Sequence, residues 1–141
     1  MSGFLLDTNC ISELVRSQPE PRVLEWMEEA DESLLYLSVL TLGEVRKGLA
    51  GLPQSKRRTR LESWLELELQ ARFSGRILPI NAIVADRWGV LAAAAKRNGR
   101  SLSAIDGLLA ATALQHNLTI VSRNVRDFAS TQVPIVNPWE A

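Results

Sequence analysis

The sequence predicts an α/β protein of three layers, α/β/α, with helices on both sides of a central parallel sheet of four to five strands. Three observations predict it. The strand candidates are short, aliphatic and charge-poor: GFLL (3–6), LLYLSVL (34–40), RILPIN (76–81), LTIVS (118–122) and PIVN (134–137). A strand covered on both faces reads as a continuous apolar run rather than an alternating one. Amphipathic helical patterns separate these runs, as the crossovers of a parallel sheet require. At 141 residues and 46% hydrophobic composition, the chain suits one domain, 1–141, with a core of its own.

Each element has a local reason. GFLL is too brief for a helix and ends on polar residues. Residues 9–16 place Ile11, Leu14 and Val15 on one helical face. Pro19 and Pro21 punctuate the chain before a polar helix, PRVLEWMEEADE. TLGEVRKGLAGL follows the second strand as a helix with Leu42, Val45 and Leu49 on one side. KRRTRLESWLELELQARF (56–73) is a long helix, basic at its start and acidic further on. AIVADRWGVLAAAAKRNG spaces Val84, Trp88, Leu91 and Ala95 helically, with Gly99 as its stop. SAIDGLLAATALQHN turns Leu109, Ala110, Ala113 and Leu114 inward.

Sixteen basic residues balance sixteen acidic ones, which excludes a protein that coats nucleic acid by bulk charge. One cysteine, Cys10, and one histidine, His116, exclude zinc fingers and dithiol redox pairs. Cys10 is read as packing and His116 as a helix-end residue. There is no signal-peptide pattern and no apolar run of membrane-spanning length, so a cytoplasmic protein is expected.

Ligands of open parallel sheets collect beyond the carboxyl ends of the strands, where strand order reverses. Asp7 follows the first strand and Glu44 lies one helical turn past the second. Asp106 opens the helix feeding the fourth strand, and Ser122, Arg123, Asn124 and Asp127 close that strand and follow it. Each acid also has a structural role open to it. Asp7 suits an N-cap, Thr41–Glu44 and Ser103–Asp106 match capping boxes, and Asp127 suits a turn. Taken together, four acids at one sheet edge would repel one another unless a cation compensated. Oxygen donors without cysteine or paired histidine favour Mg²⁺ or Mn²⁺. Such a centre suits phosphodiester hydrolysis, since a metal polarises a phosphoryl oxygen and acidifies a bound water.

FLLDTNCISEL, SVLTLGEVRKGL, AIDGLLAATALQHNLTIVSRNVRDF and PIVNPW together resemble the PIN-domain ribonucleases, in particular the VapC/FitB-type toxins of toxin–antitoxin pairs. The resemblance runs in order through nearly the whole chain. It implies a Mg²⁺- or Mn²⁺-dependent endoribonuclease, a homodimer, inhibited by a cognate antitoxin. By position, Asp7, Glu44 and Asp106 match the family's first three acids. At the fourth, relatives often carry an acid where this chain has Asn124, and Asp127 is the substitute at hand. Thr8, Asn9 and Ser122 resemble the polar residues that line such sites. Any binding of promoter DNA would belong to the antitoxin.

For RNA phosphates the candidates are Arg123 and Arg126 beside the acids, and Arg46 and Lys47 next to Glu44. The last two open a basic run continued by Lys56, Arg57, Arg58 and Arg60, for which ordinary surface charge is the alternative. The four tryptophans, 26, 64, 88 and 139, are expected in packing rather than as a base-stacking platform. The alanines of 91–95 would allow close approach at a dimer contact. A phosphoacceptor receiver domain fails, because Ile80-Asn81 and Asn137-Pro138 stand where it needs Asp and Lys. A D-x-D phosphatase fails at Asp7-Thr8-Asn9. The alternative that survives is an inactive module of the same fold that only docks a partner, and Asn124 is its support.

Overall fold

The computed structural model describes residues 2–140. Five parallel strands stand in the order β3-β2-β1-β4-β5: β1 Phe4–Leu6, β2 Leu35–Ser38, β3 Ile77–Leu78, β4 Thr119–Val121 and β5 Ile135–Val136. All five predicted strands are present, and all are shorter than the apolar runs that announced them. β2 stops early because the Ser38 hydroxyl accepts the Leu40 amide at 3.0 Å and caps the next helix, drawing Val39 and Leu40 into it. β3 stops at Pro79, which has no N–H to donate to a neighbouring strand.

The helices are α1 Thr8–Glu13, α2 Pro21–Glu29, α3 Val39–Ala50, α4 Lys56–Ser63, α5 Gln70–Arg72, α6 Ala82–Arg97 and α7 Ala104–Gln115. A π-helical segment, Trp64–Leu69, joins α4 to α5, so the long helix predicted over 56–73 is one helical run with a widened middle. Gly99 stops α6 with φ +66°, a left-handed conformation that costs glycine nothing. Ser103 caps α7 by accepting the Asp106 amide at 3.1 Å, as its capping-box spacing predicted. The Thr41–Glu44 box does not form. Ser38 takes the cap, Thr41 lies inside α3 with its hydroxyl buried and unpartnered, and Glu44 is left free of a capping role.

Alternate strand residues feed two cores. Leu6, Leu35, Leu37 and Val121 face α1, α2, α3 and the long helix, meeting Ile11, Val23, Leu49, Leu65, Leu69 and Phe73. Leu5 and Ile120 face the other way, onto Leu109, Ala110 and Ala113 of α7 and onto Phe128. Partly buried Leu91 brings α6 into that second layer, and α6 packs along α7. Trp88 of α6 lies so close to Gly107 that a β-carbon there would fall 2.7 Å from the indole. Among the described residues no helix is long and apolar enough to cross a membrane.

The order 3-2-1-4-5 puts β1 beside β4 at the place where the chain turns from building one half of the sheet to building the other. This is the crevice where open parallel sheets bind ligands. The Asp7 amide donates to the Val121 carbonyl at 2.9 Å, so the residue just past β1 is pinned to the end of β4.

Candidate functional site

A cleft of about 570 Å³ opens at that crevice. Asp7, Glu44, Asp106 and Asp127 all line it, brought from the end of β1, the second turn of α3, the first turn of α7 and the 3₁₀ turn Val125–Thr131. Thr8, Asn9, Arg123 and Asn124 line it as well.

Asp7 is the most enclosed of the four acids, 7% exposed. Its Oδ1 accepts the Thr8 amide at 2.8 Å, and its Oδ2 accepts the hydroxyl of fully buried Ser122 at 2.7 Å. Ser122 is itself held in place, because its oxygen accepts the Asn124 amide at 3.0 Å and the Asn9 side-chain amide at 3.3 Å. Glu44 is aimed by Thr8, whose hydroxyl donates to Oε1 at 2.5 Å. Ser122 therefore stands behind the cleft wall, orienting Asp7.

The carboxylates sense one another. Burial pushes the Asp7 carboxyl above its ordinary value; the Ser122 and Thr8 hydrogen bonds oppose this, and the charges of Asp106 and Glu44 add to it. Burial likewise raises Asp106, against its Ser103 bond and with the charges of Asp127 and Glu44 pushing further. A site that holds acids partly against ionisation is one where a cation would restore the charge balance. The donor set fits a hard divalent ion, being all oxygen, and it includes Asn9 Oδ1, which is buried and has no hydrogen-bond partner. Among the described residues no three Asp, Glu, His or Cys side chains converge tightly enough to enclose an ion by themselves. Mg²⁺ does not need such a cage, since it keeps several waters and takes one or two carboxylates.

Of the phosphate candidates, Arg123 lies at the cleft with its guanidinium 5.8 Å from the centre of the Trp139 ring. Arg126 is exposed outside the cleft lining, and Lys47 lines a neighbouring apolar depression with Glu44 and Ile105. Arg46 turns away and is paired with Glu62 at 3.4 Å and Glu66 at 2.6 Å. Cys10 is fully buried, with its thiol on the Val121 carbonyl at 3.2 Å, and burial pushes its pKa far up, so it packs and does not react. Trp26 packs edge-on against Phe4, Trp64 against the first core, and Trp139 is buried in it.

Sequence reasoning missed Ser12, Glu13, Arg16, Ser103, Ile105 and Trp139 as lining residues. Glu13 carried no readable signal, since helical spacing sets it off the face shared by Ile11, Leu14 and Val15. It is 2% exposed, accepts the Glu20 amide at 3.2 Å, and pairs with Arg16 at 3.2 Å.

The PIN domain model matches residues 4–133. The VapC ribonuclease Y4jK of Sinorhizobium fredii is 39% identical, covering 97% of this chain and 98% of its own. Toxin FitB of Neisseria gonorrhoeae is 41% identical over 96% of this chain and 98% of its own. The crystal structure of FitAcB from that organism superposes with a TM-score of 0.93 at 40% identity, over 98% of this chain and 99% of that one. A match to the family model over nearly all of the fold, with full-length relatives at this identity, is decisive: the chain belongs to the PIN-domain family and is of the VapC/FitB type.

Proposed function

We propose that this protein is the toxin of a toxin–antitoxin pair, a Mg²⁺- or Mn²⁺-dependent endoribonuclease that hydrolyses RNA phosphodiester bonds at the acidic cleft. The observation that carries the reading is the meeting of Asp7, Glu44, Asp106 and Asp127, from four separate segments, in one cleft at the β1–β4 switch point. The relatives' names, ribonuclease and toxin, support it.

The metal would be held by one or two of Asp7, Glu44, Asp106 and Asp127, with the others reaching it through its waters, and when bound it would supply Lewis acidity toward a phosphoryl oxygen and an acidified water. The chain's own residues prepare that chemistry. Ser122 and the Thr8 amide fix both oxygens of Asp7, and the Thr8 hydroxyl fixes Glu44, so one carboxylate at the end of β1 and one on α3 are set before substrate arrives. Arg123, resting on Trp139, offers a fixed positive charge to a phosphate entering the cleft. Asn124 anchors Ser122 through its backbone, and Asp127 provides the fourth carboxylate from the following turn. The protein is proposed to act in the cytoplasm as a homodimer, with a cognate antitoxin as its inhibitor.

The test is RNA cleavage by the purified chain with Mg²⁺ or Mn²⁺, with EDTA, and with the Asp7→Asn variant. Cleavage is expected only for the wild type with metal. Asp7→Asn cutting at the wild-type rate would end the proposal. A chain that stays silent toward RNA yet still captures its antitoxin would establish the docking-module alternative.

A further inference from the structure

The acidic cleft repels the polyanion it is proposed to cut, so the substrate needs a hold elsewhere. Beside the cleft runs a groove of about 490 Å³, lined by Arg16, Arg57, Arg60, Leu61, Trp64 and Glu68 among others. Arg16 belongs to both, forming a wall of the cleft and a wall of the groove. Arg60 is shared in turn with a further depression that includes Lys56 and Thr59. The three hollows thus follow one another, with an arginine at each junction.

Arg57, Arg60, Trp64 and Glu68 recur at helical spacing and so share one face of the long helix. The basic run divides by partner. Arg46 is tied to Glu62 and Glu66, and Arg58 to Glu62 and the Leu52 carbonyl at 2.8 Å. Arg57 and Arg60 have no ion pair among the described residues, and the Arg16 side chain is 59% exposed despite its bond to Glu13. Lys56 and Arg57 also sit in the first turn of α4, where the helix dipole disfavours positive charge. Arg57 is thus placed against the dipole and left unpaired, while Arg60, in the last turn of α4, is favoured by the dipole and equally free of an ion pair among the described residues. Trp64 adds an indole, packed by one side on the core and open to the groove by another, on which a base can stack.

We propose that this groove is a binding track for single-stranded RNA, in which Arg16, Arg57 and Arg60 neutralise backbone phosphates and Trp64 stacks a base on one side of the scissile bond. The inference rests on the ribonuclease reading and assigns the surface, outside the cleft, that holds the strand. The residues act in positioning and do not touch the reacting atoms.

The experiment measures anisotropy of a fluorescein-labelled single-stranded RNA of about twelve nucleotides, with EDTA so that it stays whole, across a salt series. Arg57→Glu/Arg60→Glu should weaken binding at least roughly tenfold and make the slope of log affinity against log salt shallower by about 1.4, since each single-strand phosphate contact contributes about 0.7. Arg57→Gln/Arg60→Gln should flatten the slope by the same amount, with a smaller loss of affinity. Arg87→Glu, on α6 in the opposite layer, should change neither. Trp64→Leu should weaken RNA binding and leave binding of a poly-glutamate peptide unchanged. Unaltered affinity and slope in the Arg57/Arg60 variants, or poly-glutamate competing as well as RNA, would overturn the track while wild-type cleavage kept the nuclease reading intact. A wild type that neither binds nor cuts RNA would remove both.

Discussion

Replacing Ser122 by alanine tests the electrostatic design of the cleft without touching a carboxylate. The serine is fully buried, donates to Asp7 Oδ2 at 2.7 Å, and accepts the Asn124 amide at 3.0 Å. A hydrogen bond to an ionised partner contributes about 1.5–3 kcal/mol, and a partly buried amide left without an acceptor costs about 1 kcal/mol more. With about 0.3 kcal/mol per kelvin of unfolding entropy for a chain of this length, a loss of about 3 kcal/mol lowers Tm by about 10 °C. The loss should depend on pH with a definite sign. The folded Asp7 carboxyl is raised above its unfolded value, so its favourable contribution is complete below the unfolded value of 3.8 and disappears as pH rises through the folded pKa. Ser122 works against that rise. Its removal lifts the folded pKa further, and the deficit of Ser122→Ala should grow from acid to neutral pH as the unsupported carboxylate is forced to ionise. Differential scanning calorimetry at pH 4 and pH 8, without metal, measures it. A deficit equal at both pH values, or one under about 2 °C at pH 8, would refute a charge-assisted bond between these residues.

Other outcomes follow from the same geometry. Asp7→Asn and Asp106→Asn should abolish RNA cleavage, yet in metal-free buffer at pH 8 each should melt no lower than wild type, because a carboxylate disfavoured by burial and by its neighbours has been neutralised. Saturating Mn²⁺ should raise the wild-type Tm by about 9 °C at a hundred times its Kd, from a linkage term of about 2.7 kcal/mol, and leave Asp7→Asn unmoved in the same thermal scan. Thr8→Val keeps the shape of the side chain but releases Glu44, so cleavage should fall roughly tenfold to a hundredfold while urea denaturation shifts by about 1 kcal/mol or less. Gly107→Ala forces a β-carbon to within 2.7 Å of Trp88 and should cost about 1–3 kcal/mol in the same titration, by overpacking the α6–α7 contact.

The fold was legible because its cause is local. Each strand is an aliphatic run between helical patterns, and burial on both faces of a parallel sheet leaves that trace in any window of sequence. Strand ends were not legible to the residue, because they depend on competition. Ser38 could extend β2 or cap α3, and only the packed structure decides that it caps. The cleft was half legible. Asp7, Glu44, Asp106 and Asp127 follow strands or open helices, which is where chemistry sits in such sheets, and they do share one cleft. The basic residues were harder. Arg46 opens the basic run that Arg57 continues and adjoins the Glu44 turn, yet its ion pairs with Glu62 and Glu66 are made with residues 16 and 20 positions away. Arg16 reaches the cleft from a segment with no motif to mark it, and Trp139, which closes the PIVNPW motif, was expected only in packing.

The widened π turn at Trp64–Leu69 sets the orientation of everything before it. A single inserted residue in an α-helix is absorbed as such a turn, and removing one residue would restore the ordinary pitch and swing the preceding half by about 100°. Arg57 and Arg60 would then rotate off the edge they share with Arg16, while Leu69 and Phe73 kept their seats in the core. A one-residue deletion at this point is thus expected to displace Arg57 and Arg60 from the groove while leaving the four acids in place, without any substitution in the groove itself.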